Sequence, residues 1–277
     1  ALEIAPPSSS SFLGSHSKTF HGAPRSPRNS FWIRHLADSD VIRTASQSLD
    51  SYSAATNRDL KDTLFTDYGN LTSQAESSEA STRLVGDATR VILGTEAIPI
   101  IFGGDGSSSP AAVRATLDRF PGLTIIQVGA ATNLSNDVDG NRWHPRCATT
   151  RILDRLPADQ LLQVGLREGT KEEFSEMRED DRLVSIADLS ERIGEGPLYL
   201  SFQLSAFEPS FVSATGIHEP GGLLWGDFEK LIDAIPWKQV RAIDYSGLLP
   251  DSDMTGYSSL VAAKVLREFI LGIPQPK

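Results

Sequence analysis

Three short stretches of this chain stand directly after apolar runs, where an α/β protein places its chemistry. The first, Phe102-Gly103-Gly104-Asp105-Gly106-Ser107, closes the run from Ile98. The second, Gly129-Ala130-Ala131-Thr132-Asn133, follows Ile125-Ile126-Gln127-Val128, and the third, Ser201-Phe202-Gln203-Leu204-Ser205-Ala206-Phe207-Glu208-Pro209, follows Leu198-Tyr199-Leu200. Carboxylates and imidazoles in such loops hold divalent ions and activate water. Here glycine, alanine and neutral polar residues dominate, and Asp105 and Glu208 are the charged members. His144 can relay a proton or touch a ligand, but it reads more simply as a hydrogen-bonded structural histidine. Cys147, three residues on, becomes a nucleophile only if that imidazole faces it. His218 lacks partners for a metal, and His16, His21 and His35 fall in an irregular N-terminal region as surface groups. Backbone N–H groups of the loop 103–109 could cradle a phosphate ahead of a helix at Pro110. No lysine follows these glycines and Asp105 repels an anion, so a loop closed by small residues is the preferred reading.

Regular alternation positions these loops. Apolar runs at 98–102, 124–128, 161–166, 198–202 and 239–243 predict strands. Amphipathic or helix-rich stretches predict helices at Ser81–Leu93, Pro110–Arg119, Lys171–Arg178, Trp225–Ala234 and Thr255–Leu271, with Ser109 capping the second. Strands alternating with helices imply a largely parallel sheet covered on both faces. Residues 1–30 are rich in Ser, Pro and Gly and read as an extended arm, and residues 31–277 as a single domain. Residues 31–80 are polar and show no firm pattern. The charge-rich segment 168–196 reads as a solvated face.

Composition narrows the function classes. Hydrophobic residues make up 39% and charged residues 22%, which is ordinary for a globular protein. The net charge of −10 argues against nucleic acid or an anionic membrane surface as main partner. One cysteine excludes an internal disulfide and a thiolate zinc cluster, and it fits a reducing compartment. No apolar run reaches the roughly 20 residues of a membrane span, so direct membrane insertion is not expected. A soluble location follows, in cytoplasm or an organelle interior, the latter after removal of a targeting segment ahead of Ala1.

In order and spacing the three loops resemble the metal-binding signatures of the ureohydrolase family (arginase, agmatinase, formiminoglutamase), which read GGDHS, DAHxD and SFDxDxxDP. Neighbouring stretches agree. Asn141-Arg142-Trp143-His144-Pro145 resembles GNxHG, Val164-Gly165-Leu166-Arg167 resembles IGxR, and Pro209 to Gly216 with Pro220 to Leu223 resembles PSxxPGTGTPxxGGL. Residues 22–28 echo an early GxRxGPxxIR stretch less well. The likeness covers roughly residues 12–272. It implies a three-layer α/β/α, arginase-like fold with a site at the carboxyl ends of the strands.

Carried across position by position, the resemblance places Gly106, Gly129, Ala131, Asn133, Gln203 and Ser205 where the family has six metal ligands. Gly247, in Asp244-Tyr245-Ser246-Gly247, falls where the family's (D)xVE motif has its substrate-binding glutamate. By resemblance Asp105 and Glu208 are not ligands, and His144 is the family-matched residue that remains. Three replacements have no donor atom and three are neutral, so the charge that two neighbouring cations require is missing. The expectation is therefore a protein that is not an enzyme. It would bind no metal or cofactor and would serve as a structural or regulatory subunit among protein partners: its own copies, an active paralogue or a larger assembly. Two alternatives stand beside it: a metal-free small-molecule binder using the vacated pocket, and residual or relocated hydrolase activity on guanidino compounds.

Overall fold

The structure, a computed structural model, describes residues 4–5, 30–34, 38–71 and 78–275. The arm expected at residues 1–30 lies outside them, except for Ile4–Ala5, which pairs antiparallel with Asn70–Leu71, and Ser30. Seven strands of the described residues form one sheet. They are β1 (Ser30–Arg34), β2 (Phe65–Asp67), β3 (Ile98–Phe102), β4 (Thr124–Val128), β5 (Leu161–Val164), β6 (Leu198–Gln203) and β7 (Val240–Ser246). Their order is β2-β1-β3-β7-β6-β4-β5, and every neighbouring pair is parallel. All strands therefore end at one edge. The loops after β3, β4, β6 and β7, which sit side by side in the sheet, converge there.

Among the described residues the helices are α1 (Asp38–Ser46), α2 (Ser78–Leu93), α3 (Ser109–Arg119), α4 (Ala148–Leu153), α5 (Lys171–Glu179), α6 (Leu189–Arg192), α7 (Trp225–Ala234) and α8 (Tyr257–Gly272). Every residue of β3 and β6 is buried, as continuous apolar strands require when both faces are covered. Side chains alternate between two cores. Ile100, Phe102, Leu198, Leu200 and Phe202 join Phe228 of α7 and Phe269 of α8 on one face. Ile101, Ile125 and Tyr199 join Val85 of α2, Val113 of α3 and Ile152 of α4 on the other. This is the expected three-layer α/β/α arrangement. Phe202 anchors the first core, with ring centroids of Phe207, Phe228 and Phe269 at 5.7, 5.6 and 5.6 Å. No helix among the described residues is long and apolar enough to cross a membrane.

Two strands and several element boundaries differ from those expected of the sequence. The outer strands β1 and β2 fall in and just before the stretch 31–80; β1 carries only the three-residue apolar run Phe31-Trp32-Ile33, and β2 is three residues long, so neither shows an alternation. The strand expected over 161–166 stops at Val164, before Gly165 at φ +79°. Ser108 rather than Ser109 takes the cap position of α3, and its side chain makes no capping bond. The Ser109 hydroxyl instead reaches into the site.

Candidate functional site

The edge is built around Gln203, the last residue of β6. A Cβ added to Gly106 would stand 2.9 Å from Gln203 Nε2, and one added to Gly129 would stand 3.0 Å from Oε1. Both distances are below normal contact, so a side chain at either position competes with this amide for one space. The two glycines and the long neutral residue form a matched set. Gly106 also holds φ +86° and Gly247 φ +95°, a left-handed region in which a side chain is strained. The Gly247 N–H donates to Gly104 O at 2.9 Å and ties the β7 loop to the β3 loop.

The other aligned positions are absorbed into backbone architecture. Ala131 bridges to Glu168 in parallel fashion, extending the β4–β5 pairing beyond the strands. Asn133 adopts φ +53°, which asparagine tolerates better than most residues, and its carbonyl accepts from Thr149 N at 3.1 Å. Ser205 Oγ accepts weakly from Ala130 N at 3.4 Å. Asp105 is exposed and accepts from Ser107 N in its own turn, while Glu208 accepts from Gly221 N and Gly222 N at 2.7 and 2.9 Å. The two surviving carboxylates thus hold loops.

His144 stands at the cap of a short 3₁₀ turn, where Nδ1 accepts from Arg146 N at 3.2 Å. That bond leaves the neutral ring's proton on Nε2, so the imidazole presents a donor and not a base to its surroundings. His218 is exposed and contacts Ser213 O. Burial raises the Cys147 thiol above its usual range, which disfavours the thiolate a nucleophile needs. Its Sγ turns toward Asn141 O at 3.8 Å. His16, His21 and His35 lie outside the described residues.

Beneath the edge runs a polar row that the sequence reading did not single out. Gln163 of β5, Gln127 of β4, Ser201 of β6 and Asp244 of β7 stand at one level of the sheet. Gln163 Nε2 donates to Gln127 Oε1 at 2.8 Å, and Gln127 Nε2 donates to Thr149 Oγ1 at 2.9 Å. Ser109 and Ser201 donate to Asp244 Oδ1 at 2.8 and 3.0 Å, and the buried Tyr199 hydroxyl also interacts with this carboxyl. The signal for this row was one polar residue within the apolar run of each of four neighbouring strands.

Burial pushes the Asp244 carboxyl up to about 6, against the hydrogen bonds that favour its charge. The folded state therefore binds this proton more tightly than the unfolded chain does, whose carboxyl titrates near 4. Stability from this group is present below about pH 4 and is lost as pH rises through about 6. In Asp244→Asn the midpoint of thermal unfolding, followed between pH 4 and 7, will lose that falling component.

The cavity that two cations with bridging water would need is not matched by these residues. Gln203 and Asn133 are neutral amides, Ser205 is a hydroxyl, and Gly106, Gly129 and Ala131 offer nothing. Among the described residues no group of three or more His, Cys, Asp or Glu could hold a metal ion. The family-like metal pair does not fit this edge.

A parallel α/β/α sheet whose site loops gather at the carboxyl ends defines a broad class of enzymes and binding proteins. Within it, residues 19–272 match the arginase family, and the chain belongs to that family. It is 25% identical to the agmatinase of Bacillus subtilis over 240 residues, 83% of each chain. It is 26% identical to the guanidinobutyrase of Pseudomonas aeruginosa over 251 residues, 84% of this chain and 79% of that one. In fold it resembles the agmatine ureohydrolase of Thermoplasma volcanium, with a TM-score of 0.78 at 24% identity, covering 90% of both chains.

These relatives correct one expectation. A chain that is no enzyme was inferred from the six aligned positions, yet the relatives across most of its length are named as enzymes, and nothing in the comparison speaks for inactivity. The physical error was one of scope: missing ligands limit which chemistry those positions support, and they do not test the rest of the edge.

Proposed function

We propose that this chain is a hydrolase of guanidino compounds that works at the carboxyl edge of its sheet without the family-type pair of metals. The reaction adds water across a guanidino C–N bond and releases urea and an amine. The single observation that carries the reaction class is the family match over residues 19–272, with relatives named agmatinase and guanidinobutyrase. The fit of Gln203 against Gly106 and Gly129 carries the departure from two metals.

The local electrostatics suit a cationic substrate. Asp244 is ionised above about pH 6 and is fully buried under the edge, so it favours a positive group over a negative one there. The Gln203 amide and the hydroxyls of Ser205 and Ser246 supply neutral hydrogen-bonding atoms, and Ser246 Oγ is buried without a partner. With glycine at 247, recognition of the guanidinium falls to these neutral groups and to Asp244 beneath them.

Urea release from agmatine, guanidinobutyrate and arginine tests the reading, with chelated protein and Mn²⁺-supplemented protein assayed in parallel. Release from at least one substrate that survives chelation is expected. No urea above a heat-denatured control would overturn the reaction. Release that appears only with Mn²⁺ would keep the reaction and overturn the metal-free site.

A further inference from the structure

Away from the sheet edge, a cavity of about 400 Å³ opens on the outer side of the layer formed by α2, α3 and α4. Six arginines line it: Arg83 and Arg90 from α2, Arg114 from α3, Arg142 from the loop before α4, Arg151 from α4 and Arg155 just beyond it. The lining includes two carboxylates, Glu79 and Asp154. With Asp87 and Asp118, which pair with Arg90 from just outside the lining, six guanidiniums stand against four carboxylates, a surplus of two positive charges in a chain whose net charge is −10.

Local ion pairs engage only part of the cluster. Arg83 lies 3.5 Å from Glu79, Arg90 lies 2.6 Å from Asp87 and 3.8 Å from Asp118, and Asp154 is shared by Arg151 at 3.1 Å and Arg142 at 3.8 Å. Arg114 and Arg155 have no carboxylate in ion-pair range among the described residues. The second observation is Arg151. Its side chain is only 8% exposed; Nε pairs with Asp154 at 3.1 Å, and Nη1 is buried without a hydrogen bond. Buried guanidinium donors are normally satisfied, so an unsatisfied one in a cavity wall points to an absent acceptor.

We propose that this cavity binds a small phosphorylated anion, of the class of nucleoside di- and triphosphates. Every cation around it is arginine, whose planar fork suits phosphate oxygens better than a lysine point charge does. The surplus of two positive charges left after these pairs, with the paired guanidiniums still able to donate, suits a phosphate chain better than a lone carboxylate. Trp143, in the same wall, offers a face on which a base can stack. The volume falls within the usual range of small-molecule sites. The site is separate from the sheet edge and does not rest on the hydrolase reading.

Calorimetry and thermal unfolding of the full chain with magnesium-free ATP, ADP and inorganic pyrophosphate, against sodium chloride of matched ionic strength, test the proposal. Saturable binding with a raised unfolding midpoint is expected for ATP and ADP, with quenching of tryptophan fluorescence that pyrophosphate does not reproduce. The double variant Arg114→Ala/Arg155→Ala removes two exposed side chains and should leave the unliganded midpoint unchanged while weakening ATP binding at least about tenfold. No midpoint shift beyond the salt control, or equal ATP affinity in the double variant, would overturn the site. Equal binding of pyrophosphate and ATP, without quenching, would overturn the nucleotide class.

Discussion

Arg167→Met is expected to destabilise the fold by about 2–4 kcal/mol and to loosen the loop after β6 before the rest of the sheet yields. The Arg167 guanidinium donates to Ser205 O at 2.8 Å, Phe207 O at 3.1 Å and Glu219 O at 2.8 Å, with further contacts to Gly165 O and Ala206 O. One side chain thus ties the extension of β5 to the two loops that shape the site. Methionine keeps the stem's volume but removes the donor to Ser205 O, Phe207 O and Glu219 O, while Ala206 O keeps Leu223 N–H at 2.8 Å. Chemical denaturation measures the loss, and hydrogen exchange locates it. Early exchange confined to residues 204–223 is the predicted signature, and uniform loss across the sheet would contradict the stapling role.

Gln203→Asp carries the other large effect, about 3–5 kcal/mol at pH 8. In the resembling family this position is an aspartate that binds metal, so the substitution restores one ligand. Without a cation it buries an uncompensated charge two residues along β6 from Ser201, whose hydroxyl holds Asp244. Burial and that neighbouring carboxylate both raise the new group's pKa, so the cost is largest at high pH and shrinks as pH falls toward 5. Unfolding in guanidinium chloride at pH 8 and pH 5, with and without Mn²⁺, separates the explanations. The account predicts relief by acid and no relief by Mn²⁺. A large Mn²⁺-dependent stabilisation would mean that the neighbouring residues still form a metal site.

Much of this was legible before the structure. The central strands announced themselves because strands buried on both faces must be continuously apolar, and Ile98–Phe102 and Leu198–Phe202 could hardly be anything else. The outer strands did not: Phe65–Asp67 is only three residues long, and Ser30–Arg34 offers one three-residue apolar run set in a polar, Ser- and Pro-rich stretch. At the site, the residue types at the six aligned positions were readable through the family resemblance. Their mutual fit was not. That Gln203 spans from Gly106 to Gly129 depends on which strands neighbour β6 and in what register, and nothing local to the chain encodes it.

The role of Ser109 was misplaced for the same reason. Its position before Pro110 suggested a cap, but a buried carboxylate 135 residues away claimed the hydroxyl. Asp244 itself was noted only as part of a degenerate motif, although a carboxylate deep in a central strand is a hint of a tuned group. The largest error, reading absent ligands as absent catalysis, came from treating six positions as the whole of the chemistry.

The most direct measurement is manganese stoichiometry: purified chain is equilibrated with Mn²⁺, freed of loose ion by gel filtration, and its metal counted by mass spectrometry. An amide lodged between two glycines predicts no bound manganese above that of a control protein. Two ions retained per chain would contradict it.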